Sequence, residues 1–403
     1  MDIKSGDPWW LIRNQLLREY PALGDDCTCE VAVVGAGITG ALIASELVEA
    51  GIDTIVVDKR EAAWGSTSAT TALIQYELDT ELVPLIEMLG ETDALRIYKA
   101  CERAVRELGE CATELGETDY RDCASLYFVG ARHHLKRLRR EQAARDRGGF
   151  AVEWLGQRSL YETFGLRAPA AILSRPAAQV DPYRFTHALL ARACVRGLRV
   201  FDRTEISELE SGRARVTLHS APGPSIHAQH VIIAAGYETE RFLKERVARN
   251  SSTYAFVSEP IDDLPDSLMD VIAWETRRPY LYWRTAASRR MLVGGMDDSV
   301  DLPFKRDRRV AAKVAKLLKS VRKLLPDLPL EASFGWAGTF AETSDGLPYF
   351  GPHPQCDPRV LFALAHGGNG ITYAAIGAHI LREAIQGGTH ELARLFGFER
   401  QTR

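Results

Sequence analysis

The stretch VAVVGAGITGALIASELVEAGIDTIVVDKR, residues 31–60, decides how this chain is read. Glu30–Val34 is continuously apolar after its first residue, the pattern of a parallel strand buried on both faces. Gly35, Gly37 and Gly40 follow in G-x-G-x-x-G spacing, with Ala36, Ile38 and Thr39 between them. A helical pattern then runs through ALIASELVEA and stops at Gly51. A second strand, Asp53–Asp58, ends on an acid. In this setting Gly35 permits the sharp turn, Gly37 admits a pyrophosphate, and Gly40 lets helix and sheet approach. The helix N-terminus offers free N–H groups to the phosphates, and Asp58 can accept hydrogen bonds from a ribose diol. The segment reads as a dinucleotide cradle.

The 403 residues exceed one simple core and predict two domains or one composite one. Apolar residues make up 46% and charged residues 26%, as in ordinary soluble globular chains. A net charge of −4 provides no basic field, so no nucleic-acid partner is expected. The basic run at 132–147 reads as a solvated helix face. Seven scattered cysteines without a CxxC pair predict reduced thiols in a cytoplasmic protein and no metal centre. Charges among the first eighteen residues argue against a secretory signal, and no run approaches the ~18 apolar residues of a membrane span.

The glycine motif alone does not separate FAD from NAD. After the second strand comes Lys59–Leu73, KREAAWGSTSATTAL, a loop of small and hydroxyl residues. A simple NAD domain would continue into another helix; this loop, with Ser66, Thr67, Ser68 and Thr70, can wrap a pyrophosphate and a flavin ring. Downstream, RVFDRTEI (199–206) and the strand HVIIAAG (230–236) place Ile206, Ala235 and Gly236 near the nucleotide. Near the C-terminus a strand (360–365), a turn (HGGNG, 366–370) and a helix from Ile371 bring a second helix N-terminus to the same region. Its N–H groups can face a flavin edge that gains negative charge on reduction.

These residues resemble the D-amino-acid-oxidase-like family of FAD-dependent oxidoreductases. The resemblance rests on VAVVGAGITG with Asp58, on HVIIAAG, and on WAGTFAETSDGLPYFG (336–351) followed by HGGNGIT. The aromatic-rich start and YPAL (20–23) resemble the gamma-glutamylputrescine oxidoreductase branch. The resemblance implies an α/β (α+β) fold: a Rossmann-like FAD-binding domain from 25–85, 150–250 and 331–400, and an antiparallel substrate domain from 86–149 and 251–330. Residues 1–24 form an N-terminal arm that docks a partner or caps its own domain. The implied FAD contacts are Gly35–Gly40, Asp58, Lys59, Ser66, Thr67, Ser68, Thr70, Ile206, Ala235, Gly236, Gly338, Gly368, Asn369, Gly370, Ile371 and Thr372. No His or Cys stands in the 59–73 loop, so a non-covalent flavin is expected.

The chain departs from the family pattern in three places. Phe340 stands where many amino-acid oxidases carry an Arg for the substrate carboxylate, a clamp Phe cannot replace. GSTSATTA replaces the GASGRNGG of the putrescine-related branch, and 279–298 lacks the Lys that helps some oxidases react with O₂. Helices are expected over 79–116. Strands are expected at 125–129, 252–257, 273–276, 280–284 and 291–294. Alternation puts Tyr280, Tyr282 and Arg284 on one face, with Arg284 to bind an anionic group and Tyr282 to donate a hydrogen bond. Tyr254, Tyr373 and His366 are further catalytic candidates, and Gln75 and Tyr76 can point into the site.

The expected reaction is hydride transfer from the carbon beside an amine nitrogen to flavin N5, giving an imine. The donor is a small amine or amino acid, and O₂ or another acceptor takes the electrons. Oxidation of a 2-hydroxy acid, or flavin binding without turnover, are the alternatives.

Overall fold

The computed structural model describes residues 3–221, 223–299, 302–364 and 367–402. Two sheets organise them. The eight-stranded first sheet has the core order Tyr349–Pro352, Val360–Leu364, Ser225–Ile233, Cys27–Val34, Thr54–Val57, Arg199–Phe201. All but the first of these strands pair in parallel. Their continuous Val/Ile runs are buried because helices cover one face and a second apolar layer the other. The helices Ile38–Glu49, Pro182–Val195 and Gly370–Ile385 pack on one side. Pro182–Val195 begins where its sequence says it should: Asp181 accepts the Tyr183 and Arg184 N–H groups, and Pro182 occupies the first turn.

The nine-stranded second sheet runs Ala332–Glu342, Arg249–Ser258, Arg290–Asp298, Leu281–Ala286, Val271–Glu275, Arg121–Phe128, Ala170–Gln179, Leu73–Gln75, with Ala151–Gly156 on the side. The four strands expected between 252 and 294 are present, joined antiparallel, while Val271–Glu275 meets Arg121–Phe128 in parallel. The helix Val310–Leu324 covers its outer face over Trp283, Met291 and Val293. The expected domain limits need correction here. Strands at 151–179 and 332–342 hydrogen-bond into this second sheet, although the sequence reading gave both to the FAD half. Short apolar strands look alike whichever sheet completes their ladder. The long helical stretch is two helices, Leu82–Leu89 and Glu91–Leu115, broken at Gly90 with φ +84°.

The basic run is also more than a solvated face. Its helix, Leu135–Arg147, buries Arg145 completely between Glu141 (2.7 Å) and Glu77 (3.2 Å). Glu141 in turn accepts the N–H groups of Leu82 and Val83. Spacing on one helix cannot reveal a partner 68 residues away. The N-terminal arm caps its own fold. Trp10 is buried and donates to the Thr70 carbonyl at 2.7 Å, Arg13 and Asn14 bond Asp181, and the Thr339 N–H bonds the Ile3 carbonyl. No helix among the described residues is long and apolar enough to cross a membrane.

Candidate active site

The glycine turn opens into a cleft of about 1290 Å³, its solvent-open mouth included. Gly35 has φ +121°, and a Cβ there would lie 2.3 Å from the Ala234 carbonyl oxygen. A Cβ on Gly40 would lie 1.8 Å from the Gly35 oxygen, so the helix can approach the turn this closely at Gly40 without a side chain. Asp58 stands on the cleft wall and ties the turn together: its carboxylate accepts the N–H groups of Ala36 (2.7 Å) and Arg60 (2.9 Å). Thr67 Oγ1 accepts the Ile38 N–H at 2.9 Å, joining the 59–73 loop to the helix tip. Opposite, Gly370 and Ile371 bring the tip of the second helix to the same cleft. Lys59 and Arg60 both bond Glu238, at 2.7 and 2.8 Å. Burial alone would raise the Glu238 carboxyl, but the hydrogen bonds from Arg60 and Lys59 outweigh it and bring it down to about 2.

A second cavity, of about 950 Å³, shares walls with the first at Ser66, Thr70, Leu73, Tyr237, Gly367 and Gly368. Rings line it: Tyr237, Trp274, Tyr280, Tyr282, Trp336 and Phe340. Trp274 is held by stacking on Tyr127 at 3.8 Å and by donating to Ser125 Oγ. Tyr280 donates to Asp79 at 3.0 Å, and the other Asp79 oxygen accepts the Gly368 N–H at 2.7 Å. Asp79 therefore joins the second helix tip to the pocket. Asp297 is on the wall too, and its pKa is raised to about 6: burial first, then the charges of Asp79 and Glu342, outweigh a hydrogen bond from Thr253. No Arg, Lys or His occurs among the described lining residues of this cavity.

The family model of FAD-dependent oxidoreductases named DAO matches residues 30–384. The chain belongs to the DAO family of FAD-dependent oxidoreductases. It is similar to glycine oxidase of Bacillus licheniformis, 25% identical across 89% of this chain and 93% of that protein. Similarity to gamma-glutamylputrescine oxidoreductase of Escherichia coli is 23% across 91% and 86%. Among solved structures, glycine oxidase of Geobacillus kaustophilus superimposes with a TM-score of 0.75 at 21% identity, covering 92% of this chain and 98% of that one.

FAD is the cofactor of this DAO-family chain, and the cleft fits it. Two helix tips, a glycine turn with no room for a side chain and an acid beside it are the groups a dinucleotide needs. Neither cavity has a Cys or His among its described lining residues that could carry a covalent link. Gly35, Gly37, Ile38, Thr39, Asp58, Lys59, Ser66, Thr67, Thr70, Ile206, Ala235, Gly236, Gly368, Gly370 and Ile371 line the cleft; Gly338 and Asn369 line the pocket.

Other expected residues lie elsewhere. Ala36 and Gly40 shape the turn from behind the wall. Ser68 folds back onto the Trp64 and Gly65 carbonyls, as hydroxyl side chains in tight turns do. Thr372 donates to the Gln75 carbonyl and fastens the helix rather than facing the cleft. Arg284 is on the predicted face but one step beyond the pocket, where Trp10 of the arm covers it and it donates to the Val180 carbonyl at 2.8 Å. Burial lowers its pKa to about 10. Tyr254 is among the lining residues of the pocket, while its ring packs in the core on the opposite face, beneath Lys313. Tyr373 donates to Gly346 within the helical core, and Tyr76 stacks on Phe150 there. His366 lies outside the described residues. Gln75 does reach the wall. The sequence reading missed Asp79, Tyr237, Trp274 and Asp297; an acid directly after GGM in a strand was the available hint.

Proposed function

We propose that this chain oxidises the C–N bond of an amine held in the aromatic pocket, giving an imine that water hydrolyses. The observation that carries the reading is the wall shared by the FAD cleft and the ring-lined pocket. The names of the relatives, an oxidase of glycine and an oxidoreductase of a putrescine conjugate, support the same class. FAD, when bound, supplies a two-electron acceptor. The protein's part is to hold the donor carbon beside it and to present the nitrogen unprotonated. The carboxylate of Asp79, on the pocket wall and bonded to the Gly368 N–H at the second helix tip, is the group able to take the nitrogen's proton. The second helix tip, on the cleft wall at Gly370 and Ile371, would offer its positive end to a flavin that gains charge on reduction. No lysine occurs among the described lining residues of the aromatic pocket, which favours an electron acceptor other than O₂. The test is anaerobic mixing of the FAD-loaded chain with amines and with 2-hydroxy acids. Amines should bleach the flavin band and hydroxy acids should not; bleaching by hydroxy acids alone would overturn the proposal.

A further inference from the structure

The strand Arg290–Asp298 does not keep its alternation. Met291 and Val293 face the helix-covered core, while Leu292 lies with Trp10 and Trp336 on the pocket face. Gly294 is on the pocket face as well, since a Cβ there would lie 2.3 Å from the Tyr282 ring. Strict alternation would then send Asp297 into the helix-covered core. Instead the register against Arg249–Ser258 slips between Ser252 and Tyr254, and Met296 takes φ +59°. The extra residue reverses the phase. Met296 now packs against the helix-covered core, and Asp297 turns to the pocket, where it meets Thr253. Asp298 faces the other way, to Arg309 and Lys313. Lys313 also donates to the Met296 carbonyl at 2.6 Å, so the local cation is kept on the far face.

Three features of the pocket agree in sign. Asp79 and Asp297 are both on its wall. Gln75 Oε1, on the same wall, is buried and has no hydrogen-bond donor. The surrounding rings present negative π-faces, which attract alkylammonium groups. Phe340 is also on the wall, and no Arg, Lys or His occurs among its described residues.

We infer that Asp297, re-aimed by the bulge, is the specificity residue of this pocket, and that it recognises a cationic group on the substrate: the preferred donors are amines bearing a second ammonium centre, not α-amino acids. This rests on the amine-oxidation reading for turnover, but its binding test does not. Tetramethylammonium has no nitrogen lone pair and cannot be oxidised, so calorimetry on the FAD-loaded chain reads recognition alone. Tetramethylammonium should bind and sodium benzoate should not. Asp297→Asn should weaken the cation by about tenfold or more, and Asp297→Glu should restore most of it, with FAD content and melting temperature kept in both.

The pH dependence follows from the groups around Asp297. Burial, Asp79 and Glu342 raise it to about 6; Thr253 and Lys313 oppose them, and Tyr280 and Tyr282 are the other titratable neighbours. Tetramethylammonium affinity should therefore be full above pH 6 and fall as the pH drops through it. Tighter binding of benzoate than of tetramethylammonium, or equal cation binding by Asp297→Asn, would overturn the inference. Cation binding without flavin bleaching by any amine would instead sink the oxidation reading and leave this one standing.

Discussion

The FAD cleft is walled by a glycine turn, two helix tips and the Ala235–Gly236 edge, all features of the backbone. The adjoining pocket is lined by residues from distant segments, Asp79, Trp274, Tyr282, Asp297 and Phe340 among them. A backbone cradle depends on missing Cβ atoms and tolerates little change of residue. A side-chain pocket depends on which face each strand presents, and one inserted residue redirects it. The same fold can therefore keep its cofactor while changing its substrate.

The cleft should break most completely. Gly40→Val forces a branched side chain onto the Gly35 carbonyl, where even one Cβ would lie 1.8 Å away. A cost of about 3 kcal/mol or more is expected, read as a colourless or insoluble product in place of a yellow one. Asp79→Asn tests the link between the two regions. It removes the charge that holds Gly368 N–H and Tyr280. We expect kcat/KM for an amine to fall by about ten- to a hundredfold, measured by anaerobic stopped flow, with FAD retained.

Glu238→Gln should act more mildly, on the cleft alone. Glu238 has a folded pKa depressed to about 2 against an ordinary 4.5. Its contribution is thus full above pH 4.5 and is lost as pH falls towards 2, so the variant should lose about 1 kcal/mol at pH 7 and show a flatter acid limb in thermal melts. The smallest effect should come from Tyr254→Phe. Its ring is on the helix-covered face, so turnover should stay within about twofold of wild type although the residue lines the pocket.

How much was legible follows the same divide. Gly35, Gly37, Gly40 and Asp58 announce the cradle because local spacing is the whole of its construction. Tyr282 was found because its own strand, Leu281–Ala286, keeps its alternation. Asp297 was not, because the phase reverses at Met296, and a bulge leaves only a faint trace in sequence. Arg284 was given the right face but the wrong surroundings: the arm that covers it lies hundreds of residues earlier. Ser68 and Thr372 were read as cofactor contacts because hydroxyl residues suit phosphate loops, yet both satisfy nearby carbonyls. Partners distant in the chain, such as Glu77 for Arg145, leave no local pattern at all.

The division between a backbone-built cofactor site and a side-chain-built substrate site is tested most directly by anaerobic flavin reduction with butane-1,4-diamine, wild type against Asp297→Asn. The account predicts equal FAD content, bleaching in both, the same limiting rate, and a half-saturating diamine concentration raised about tenfold or more in the variant. An unchanged half-saturation, or loss of FAD from the variant, would contradict it.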